Sequence, residues 1–468
     1  MKRLVVGIIA ASVMSLGAMA QGWKDECKSL IAKGEFAKAE AVLKQQNAPA
    51  HSPQAVVIDS LRTIMSRMKQ NFRIPAAEGK ALVEKVMGRS VSDADVQRWK
   101  NAKCIEYMVI DGKEMWMRKS ERNFKLLNKE LNPQVDMEWY GELDKYAKEA
   151  EAYKKDENNV RDRRLINITF TLDVDADAVP AGEKIKVWIP IPFENARQSD
   201  VKILKTSGKV KLSEGSVHHT AYFEKKAVKG KKTHFEITYS YVVGEQSFTQ
   251  SELLNRLKPY DVEKPDYKNF IEAEYPHIPK NDKYEQLARQ IVGTETNPVL
   301  QASKIYDWIA ANFPWAGALD YTIIPCIPDY VLNIGHGDCG QVALLYITLC
   351  RNIGIPARWE SGWMLHPGAL NFHDWAETYF EGVGWVPTDV SFGRTTHGQE
   401  QNDYYKSALD VWRMAANEGV GGEFSPKKRW IRCDGVDSQA GEVEWRGGNV
   451  EDSKYSSELV VNSCERIK

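Results

Sequence analysis

The chain has 468 residues, of which 43% are hydrophobic, and a formal net charge of −1. A chain of this length can bury a sizeable core and should contain more than one domain. The near-neutral charge balance argues against a protein built to bind nucleic acid or an anionic membrane surface.

The N-terminus is typical of a signal peptide over residues 1–20. Two basic residues precede the apolar stretch Leu4 to Leu16, and Ala18-Met19-Ala20 offers the small residues of a cleavage site. Since Gln21 rather than a cysteine follows, no lipid anchor is expected, and no later apolar run is long enough to span a bilayer. We therefore predict an exported protein, periplasmic or secreted, that does not insert into a membrane.

Residues 21–160 are predicted to form a helical N-terminal domain. Phe36, Ala39 and Leu43 recur at helical spacing after Gly34. Such a domain could offer a groove to a peptide or partner, close over an active site as a lid, or serve only as scaffold.

The hydrophobic period then changes from helical to alternating, which predicts a β-sandwich-like domain over 162–248. The clearest alternation is at Ile166, Ile168, Phe170, Leu172 and Val174. Residues 249–283, rich in Pro and Tyr, are predicted to be a connecting segment.

Cys339 is placed where a cysteine can become a nucleophile. Apolar residues recur at helical spacing from Cys339 to Asn352, and Gly354 is placed to end that helix. The thiol would lie on the first helical turn, where unpaired N–H groups and the helix dipole favour a thiolate of low pKa. Gly337 and Gly340 would leave room for a substrate backbone.

A β-rich run from Phe372 to Phe380 carries His373, and alternate side chains of a strand share a face. Trp375 should therefore flank the imidazole, whereas Asp374 should point away from it and be dispensable. Asp389 lies on the next predicted strand, within cross-strand reach of His373.

The register of this hairpin decides whether Asp389 can meet His373. A two-residue turn would send Asp389 to the opposite face. A three-residue loop, Glu381-Gly382-Val383, would pair Phe380 with Gly384 and make Asp389 the diagonal neighbour of His373. Glycines at 382 and 384 can adopt the positive φ that such loops use.

Four ordered motifs resemble the transglutaminase-like superfamily, which is related to papain-like thiol proteases. They are Gly337-Asp338-Cys339, Leu349 to Arg358, His373-Asp374-Trp375, and Gly384 to Asp389. The resemblance implies an α+β fold with a transglutaminase-like (papain-like) catalytic core over 284–395.

The resemblance also implies roles for the site residues. Cys339 would be the nucleophile, His373 the base and Asp389 its orienting acid, while Trp315 or Tyr321 would help to hold the oxyanion. Gly340 and Trp375 would lie next to the substrate. No metal site or cofactor is predicted.

Residues 396–468 are predicted to be an extension that packs on the core. Seven cysteines leave six besides Cys339 that could form disulfides, with no connectivity fixed by their spacing. Cys350 falls on the apolar stripe of its helix and is predicted to be packing, and His336 and His366 are predicted to be solvated loop residues.

A thiol, an imidazole and a carboxylate in this order predict acyl transfer through a thioester intermediate. Water as acceptor gives a peptidase or amidase acting on a protein or peptide substrate, and a lysine amine gives a transglutaminase. A protein- or glycan-binding module without catalysis is the alternative from another class. The oligomeric state is left open.

Overall fold

The N-terminal part is mainly helical, as predicted, but it also contains a small antiparallel sheet. The computed structural model describes residues 22–49, 52–131, 145, 149–393 and 403–467, so the predicted signal peptide lies outside the described residues. The helices are α1 (Gly22–Ala32), α2 (Phe36–Lys44), α3 (Pro53–Asn71), α4 (Ala76–Met87), α5 (Asp93–Asn101) and α6 (Ser120–Leu127). The strands are β1 (Phe72–Pro75), β2 (Tyr107–Ile110) and β3 (Lys113–Met117), in the order β1-β3-β2.

A β-sandwich of two five-stranded sheets follows. Strict alternation of apolar residues buries one face of each long strand, and the two inner faces form a single hydrophobic core. Its strands up to residue 248 are β4 (Val160–Val174), β5 (Lys184–Pro190), β6 (Gln198–Thr206), β7 (Val210–Leu212), β8 (Thr220–Lys226) and β9 (Thr233–Ser247).

The segment that leads to the core contains two short helices, α7 (Gln250–Arg256) and α8 (Pro265–Lys268). Four longer helices follow: α9 (Asp282–Val292), α10 (Pro298–Asn312), α11 (Ile327–Ile334) and α12 (Cys339–Asn352). Every residue of α12 after Cys339 is buried, so this helix forms the centre of the largest hydrophobic cluster.

A four-stranded antiparallel sheet packs on α12. Its strands are β10 (Ala357–Met364), β11 (Asn371–Phe380), β12 (Gly384–Thr388) and β14 (Arg413–Asn417), in the order β12-β11-β10-β14. The mixture of helices and separate antiparallel sheets is the predicted α+β class.

The C-terminal residues do more than pack on the core. The short strand β13 (Ala408–Leu409) pairs with β9, and β14 completes the four-stranded sheet. The last strands, β15 (Glu442–Trp445), β16 (Gly448–Asn449) and β17 (Tyr455–Arg466), complete the two sheets of the sandwich. The sandwich is thus built from the middle of the sequence and from its C-terminal part, because any segment that reaches the free edge of β4 or β5 can pair with it.

All seven cysteines fall within the described residues and all are free. Cys350 is fully buried among apolar side chains of the core, as predicted. In the part of the chain that the structure describes, no helix has both the length and the apolar character needed to cross a bilayer.

Candidate active site

The site begins at the N-terminus of α12, which is held by a capping box. The Asp338 side chain accepts a hydrogen bond from the backbone N–H of Gln341, and the Gln341 side chain accepts one from the N–H of Asp338. Cys339 is therefore the first helical residue, as predicted. It is half-buried, whereas the residues after it are enclosed.

The face of β11 that meets α12 is the one that carries Asp374. Asp374 Oδ2 lies 3.4 Å from Cys339 Sγ, and Thr378, on the same face, lies 2.8 Å from the Tyr346 hydroxyl of α12. His373 is on the opposite face, and across the described residues no hydrogen bond joins its ring to the thiol. Asp374 therefore points away from the imidazole, as predicted, and it points toward the cysteine.

His373 and Asp389 lie together, in the predicted register. Phe380 pairs with Gly384, which leaves Glu381, Gly382 and Val383 as a three-residue loop. Gly382 and Gly384 have φ values of +84° and +103°. His373 Nε2 consequently lies 2.6 Å from Asp389 Oδ2, with both residues buried.

A buried arginine continues this pair into a longer network. Arg413 Nη2 donates to Asp389 Oδ2 at 3.3 Å, and Arg413 Nη1 donates to Asp410 Oδ2 at 3.3 Å. His366 Nε2 lies 3.0 Å from the same Asp410 oxygen. The prediction that His366 is solvated is wrong, because its loop packs under β14 and the ring is only 1% exposed.

Burial keeps the imidazole neutral, and the network keeps its acid ionised. Burial lowers the pKa of His373, against the opposing effect of Asp389. Burial acts to raise the pKa of Asp389, but His373 and Arg413 outweigh it and hold that pKa below its ordinary value. A neutral imidazole oriented by a carboxylate can accept a proton.

The expected low pKa of the Cys339 thiol is wrong. Burial, followed by the charges of Asp374 and Asp338, raises the pKa well above its ordinary value. A helix N-terminus typically stabilises an anion by about 0.3–1 kcal/mol, which is less than the cost of ionising a desolvated thiol beside carboxyl groups. The resting thiol is therefore neutral at neutral pH.

Residues from the C-terminal part surround Asp374, and sequence reasoning missed them. Gln439 Nε2 donates to Asp374 Oδ1 at 2.6 Å and to the His373 carbonyl at 3.1 Å. Asp437, which is 3% exposed, lies in the same buried acidic region. No local motif around 410–439 marks these residues, so only their placement in the fold reveals them.

The two oxyanion candidates lie on the segment just before α11. The Tyr321 hydroxyl donates to Asp338 Oδ1 at 2.6 Å, next to the first turn of α12. The backbone of Trp315 pairs with Gly337, and the Arg122 guanidinium lies 4.5 Å from the Trp315 ring centre. Of the two side chains, Tyr321 thus has its polar atom beside the capping residue of α12.

The remaining predictions near the site need correction. A Cβ at Gly340 would lie 2.4 Å from the Tyr321 hydroxyl and 2.5 Å from Asp374 Oδ2, so the space there is filled rather than open to substrate. Trp375 flanks His373 at 6.1 Å between ring centres but is fully buried. His336 is also buried, with Nε2 lying 3.5 Å from Glu106, and is not a solvated loop residue.

The N-terminal helical unit packs against the segment that carries these candidates. Asn123 exchanges hydrogen bonds with the backbone of Gly317, and Asn71 and Arg118 hydrogen-bond the side chain of Asp320. Within the described residues, no group of three or more His, Cys, Asp or Glu side chains is arranged to hold a metal ion.

Comparisons with known proteins found a curated relative and several solved structures that are similar to this chain. An uncharacterized protein of Haemophilus influenzae is 26% identical over 271 residues, which is 49% of this chain and 69% of that protein. A candidate cysteine protease from Cytophaga hutchinsonii has 17% identity and a TM-score of 0.43, covering 65% of this chain and 91% of that one. The periplasmic domain of TgpA from Pseudomonas aeruginosa has 14% identity and a TM-score of 0.25, covering 48% and 88%.

The family model of the transglutaminase-like superfamily matches residues 285–390. This range holds Cys339, His373 and Asp389. The match supports a cysteine-dependent enzyme. Residues 285–390 therefore form a transglutaminase-like domain.

Proposed function

We propose that this protein is an exported peptidase or amidase that acts on protein or peptide substrates through a thioester formed at Cys339. The observation that carries the proposal is the 2.6 Å contact between His373 Nε2 and Asp389 Oδ2. His373 lies on β11, and the residue after it, Asp374, contacts the Cys339 thiol. An oriented, neutral imidazole and a cysteine at a helix start are the two groups that thiol acyl transfer needs.

In the proposed reaction His373 deprotonates Cys339, and the sulfur attacks the amide carbonyl. Because Nε2 of His373 is hydrogen-bonded to Asp389, Nδ1 is the nitrogen that receives the proton. The thiol turns from Asp374 toward the ring to deliver that proton. The backbone N–H of Cys339, assisted by Tyr321 or Trp315, stabilises the oxyanion. Because the thiol proton moves to His373 while the sulfur attacks the substrate carbonyl, the reaction does not need a resting thiol of low pKa.

Water is the acceptor that we propose for the thioester, which gives hydrolysis. An amine acceptor would give transamidation instead, and the two outcomes differ in the mass of the product. Export is proposed from the signal-peptide pattern of residues 1–20.

The test combines labelling of Cys339 with identification of products. The protein is incubated with a mixed peptide library, with and without added methylamine, and the products are identified by mass spectrometry. Cleaved peptides that need Cys339 support hydrolysis, and methylamine adducts alone would show a transamidase. Turnover by Cys339→Ala equal to that of the wild type would overturn the proposal.

A matched pair of variants tests the base. His373→Gln removes the proton acceptor, whereas His219→Gln removes a half-buried histidine of the sandwich that contacts Glu418 instead. We expect turnover to be lost in the first variant and kept in the second. Equal activity of the two would exclude His373 as the base.

A further inference from the structure

We propose that Asp374 is a second catalytic residue, a general acid that gives its proton to the leaving amine while His373 acts as the base. The inference rests on the proposed function, because it requires Cys339 as the nucleophile. It starts from the two faces of β11, which place the two proton-transfer groups on opposite sides of the strand.

The geometry places Asp374 at the reacting atoms. Its Oδ2 lies 3.4 Å from Cys339 Sγ and 2.5 Å from the position that a Cβ would take on Gly340. The carboxyl oxygen is therefore beside both the nucleophile and the first turn of α12, whose N–H groups would hold the oxyanion. A substrate carbon bonded to Sγ brings its nitrogen within reach of the same oxygen.

The hydrogen bonds on Asp374 decide which of its oxygens carries a proton. Gln439 Nε2 lies 2.6 Å from Oδ1, and its two hydrogens are shared among Oδ1 and the carbonyls of Gly362 and His373, so the amide nitrogen, not the amide oxygen, faces Oδ1. Oδ1 is thus an acceptor. A proton on the carboxyl can then lie on Oδ2, the oxygen that faces the sulfur.

The surroundings favour the protonated form of Asp374. Burial first, and then Asp437 and Asp338, raise the pKa of Asp374 well above its ordinary value. Burial and Asp434 in turn raise the pKa of Asp437 to about 7, although a hydrogen bond with Asp374 opposes the shift. The ionisable groups that act on Asp374 come from α12, from the segment before α11 and from the C-terminal loop: Cys339, Asp338, Tyr321, Asp434 and Asp437.

The surroundings therefore push the two groups toward complementary states, because they lower the pKa of His373 and raise the pKa of Asp374. Two titratable groups whose surroundings push their pKa values apart are the usual way in which one site holds an acid and a base together. A single histidine would instead have to accept one proton and then donate it at a different atom.

The steps balance without any co-reactant. The thiol proton moves to His373 as the S–C bond forms and the carbonyl becomes an oxyanion. The oxyanion collapses, the C–N bond breaks, and the Asp374 proton goes to the departing nitrogen. Water then attacks the thioester and gives a proton to the Asp374 carboxylate, and the sulfur leaves with the proton held by His373.

The test measures how acylation of Cys339 depends on the leaving group. Substituted phenyl acetates, from 4-nitrophenyl to 4-methoxyphenyl, acetylate the thiol, and the rate is followed by release of the phenol after subtraction of the Cys339→Ala rate. A poor leaving group needs an acid and a good one does not. We expect Asp374→Asn to lose about 100-fold with the poorest leaving group and to change little with 4-nitrophenyl acetate.

Alkylation by iodoacetamide supplies a second readout, because iodide leaves without a proton. Asp374→Asn should alkylate no more slowly than the wild type, whereas His373→Gln should be slower. Glu360→Gln is the matched control, since Glu360 is also a buried carboxyl of this sheet with a raised pKa but contacts Trp375 and Asn195. This control should leave the leaving-group dependence unchanged.

Equal losses for all phenyl acetates in Asp374→Asn would overturn the inference and make Asp374 a positioning residue. Full acetylation in Cys339→Ala would instead overturn the proposed function, and the acid with it. If Asp374→Asn does not fold, the same series of phenyl acetates is measured on the wild type at several pH values. The acetylation rate must depend more steeply on the leaving group as rising pH ionises Asp374. A dependence that stays constant with pH would refute the role of Asp374 as the general acid.

Discussion

Replacing Arg413 with Met tests whether the buried network around the imidazole is held together by one cation. The Arg413 side chain is 0% exposed, and it bridges Asp389, also 0% exposed, and Asp410, 2% exposed. Removing it leaves two buried carboxylates without their cation. Loss of one partner of a buried ion pair costs about 3–5 kcal/mol, so we expect the free energy of unfolding to fall by about that amount.

The cost should depend on pH, with a sign that follows from linkage. In the wild type, burial acts to raise the pKa of Asp410, but Arg413 and His366 lower it below its ordinary value. The wild type therefore keeps this stabilisation above pH ~4 and loses it as the pH falls. Without Arg413 burial dominates, the pKa rises, and the variant loses stability as the pH increases.

Urea unfolding at pH 5 and pH 8, followed by the fluorescence of the 14 tryptophans, measures both effects. The difference between wild type and Arg413→Met should be larger at pH 8. Arg446→Met is the control, because that side chain is 66% exposed in its ion pair with Glu183 and should cost less than about 1 kcal/mol. Equal costs for the two variants, or a cost that does not change with pH, would refute the reasoning.

Three further outcomes are expected. Asp389→Asn should lower turnover by about 10⁴-fold, because the imidazole loses the acceptor that fixes its tautomer. Steady-state kinetics measures this loss, and a small loss would contradict the prediction. Iodoacetamide should modify native Cys339 more slowly than the unfolded chain at pH 7 and catch up only at higher pH, because the folded pKa is raised; faster native labelling at pH 7 would contradict it. Gly362→Ala should lower the melting temperature, because a Cβ would lie 2.0 Å from the Met414 carbonyl, whereas Gly208→Ala, whose Cβ would meet nothing closer than 3.5 Å, should not.

Much of the core could be predicted from local pattern. The start of α12 at Cys339 follows from a capping residue and a helical apolar stripe, both of which act within a few residues. The meeting of His373 with Asp389 follows from the pleat and from the parity of one loop, so the register could be worked out before the structure.

The small sheet of β1, β2 and β3 was not predicted within the helical region. Its strands have only four or five residues, and β3 carries Lys113 and Glu114 among its apolar positions. Over so short a run a period of two cannot be told from a helical period. The pairing of β1 with β3 across two helices is what selects the strands.

The sequence by itself determined which residues share a face, but not which element covers that face. Alternation along β11 separates His373 from Asp374, and only the packing of α12 shows that the cysteine meets Asp374. Likewise, Arg413 and Gln439 reach the site from a C-terminal segment without any local motif. Short-range periodicity is a property of the backbone, whereas the neighbours of a buried side chain are chosen by how the elements fill space. The raised pKa of the Cys339 thiol is likewise decided by the tertiary structure, because it is set by burial and by carboxyl groups that the fold brings together.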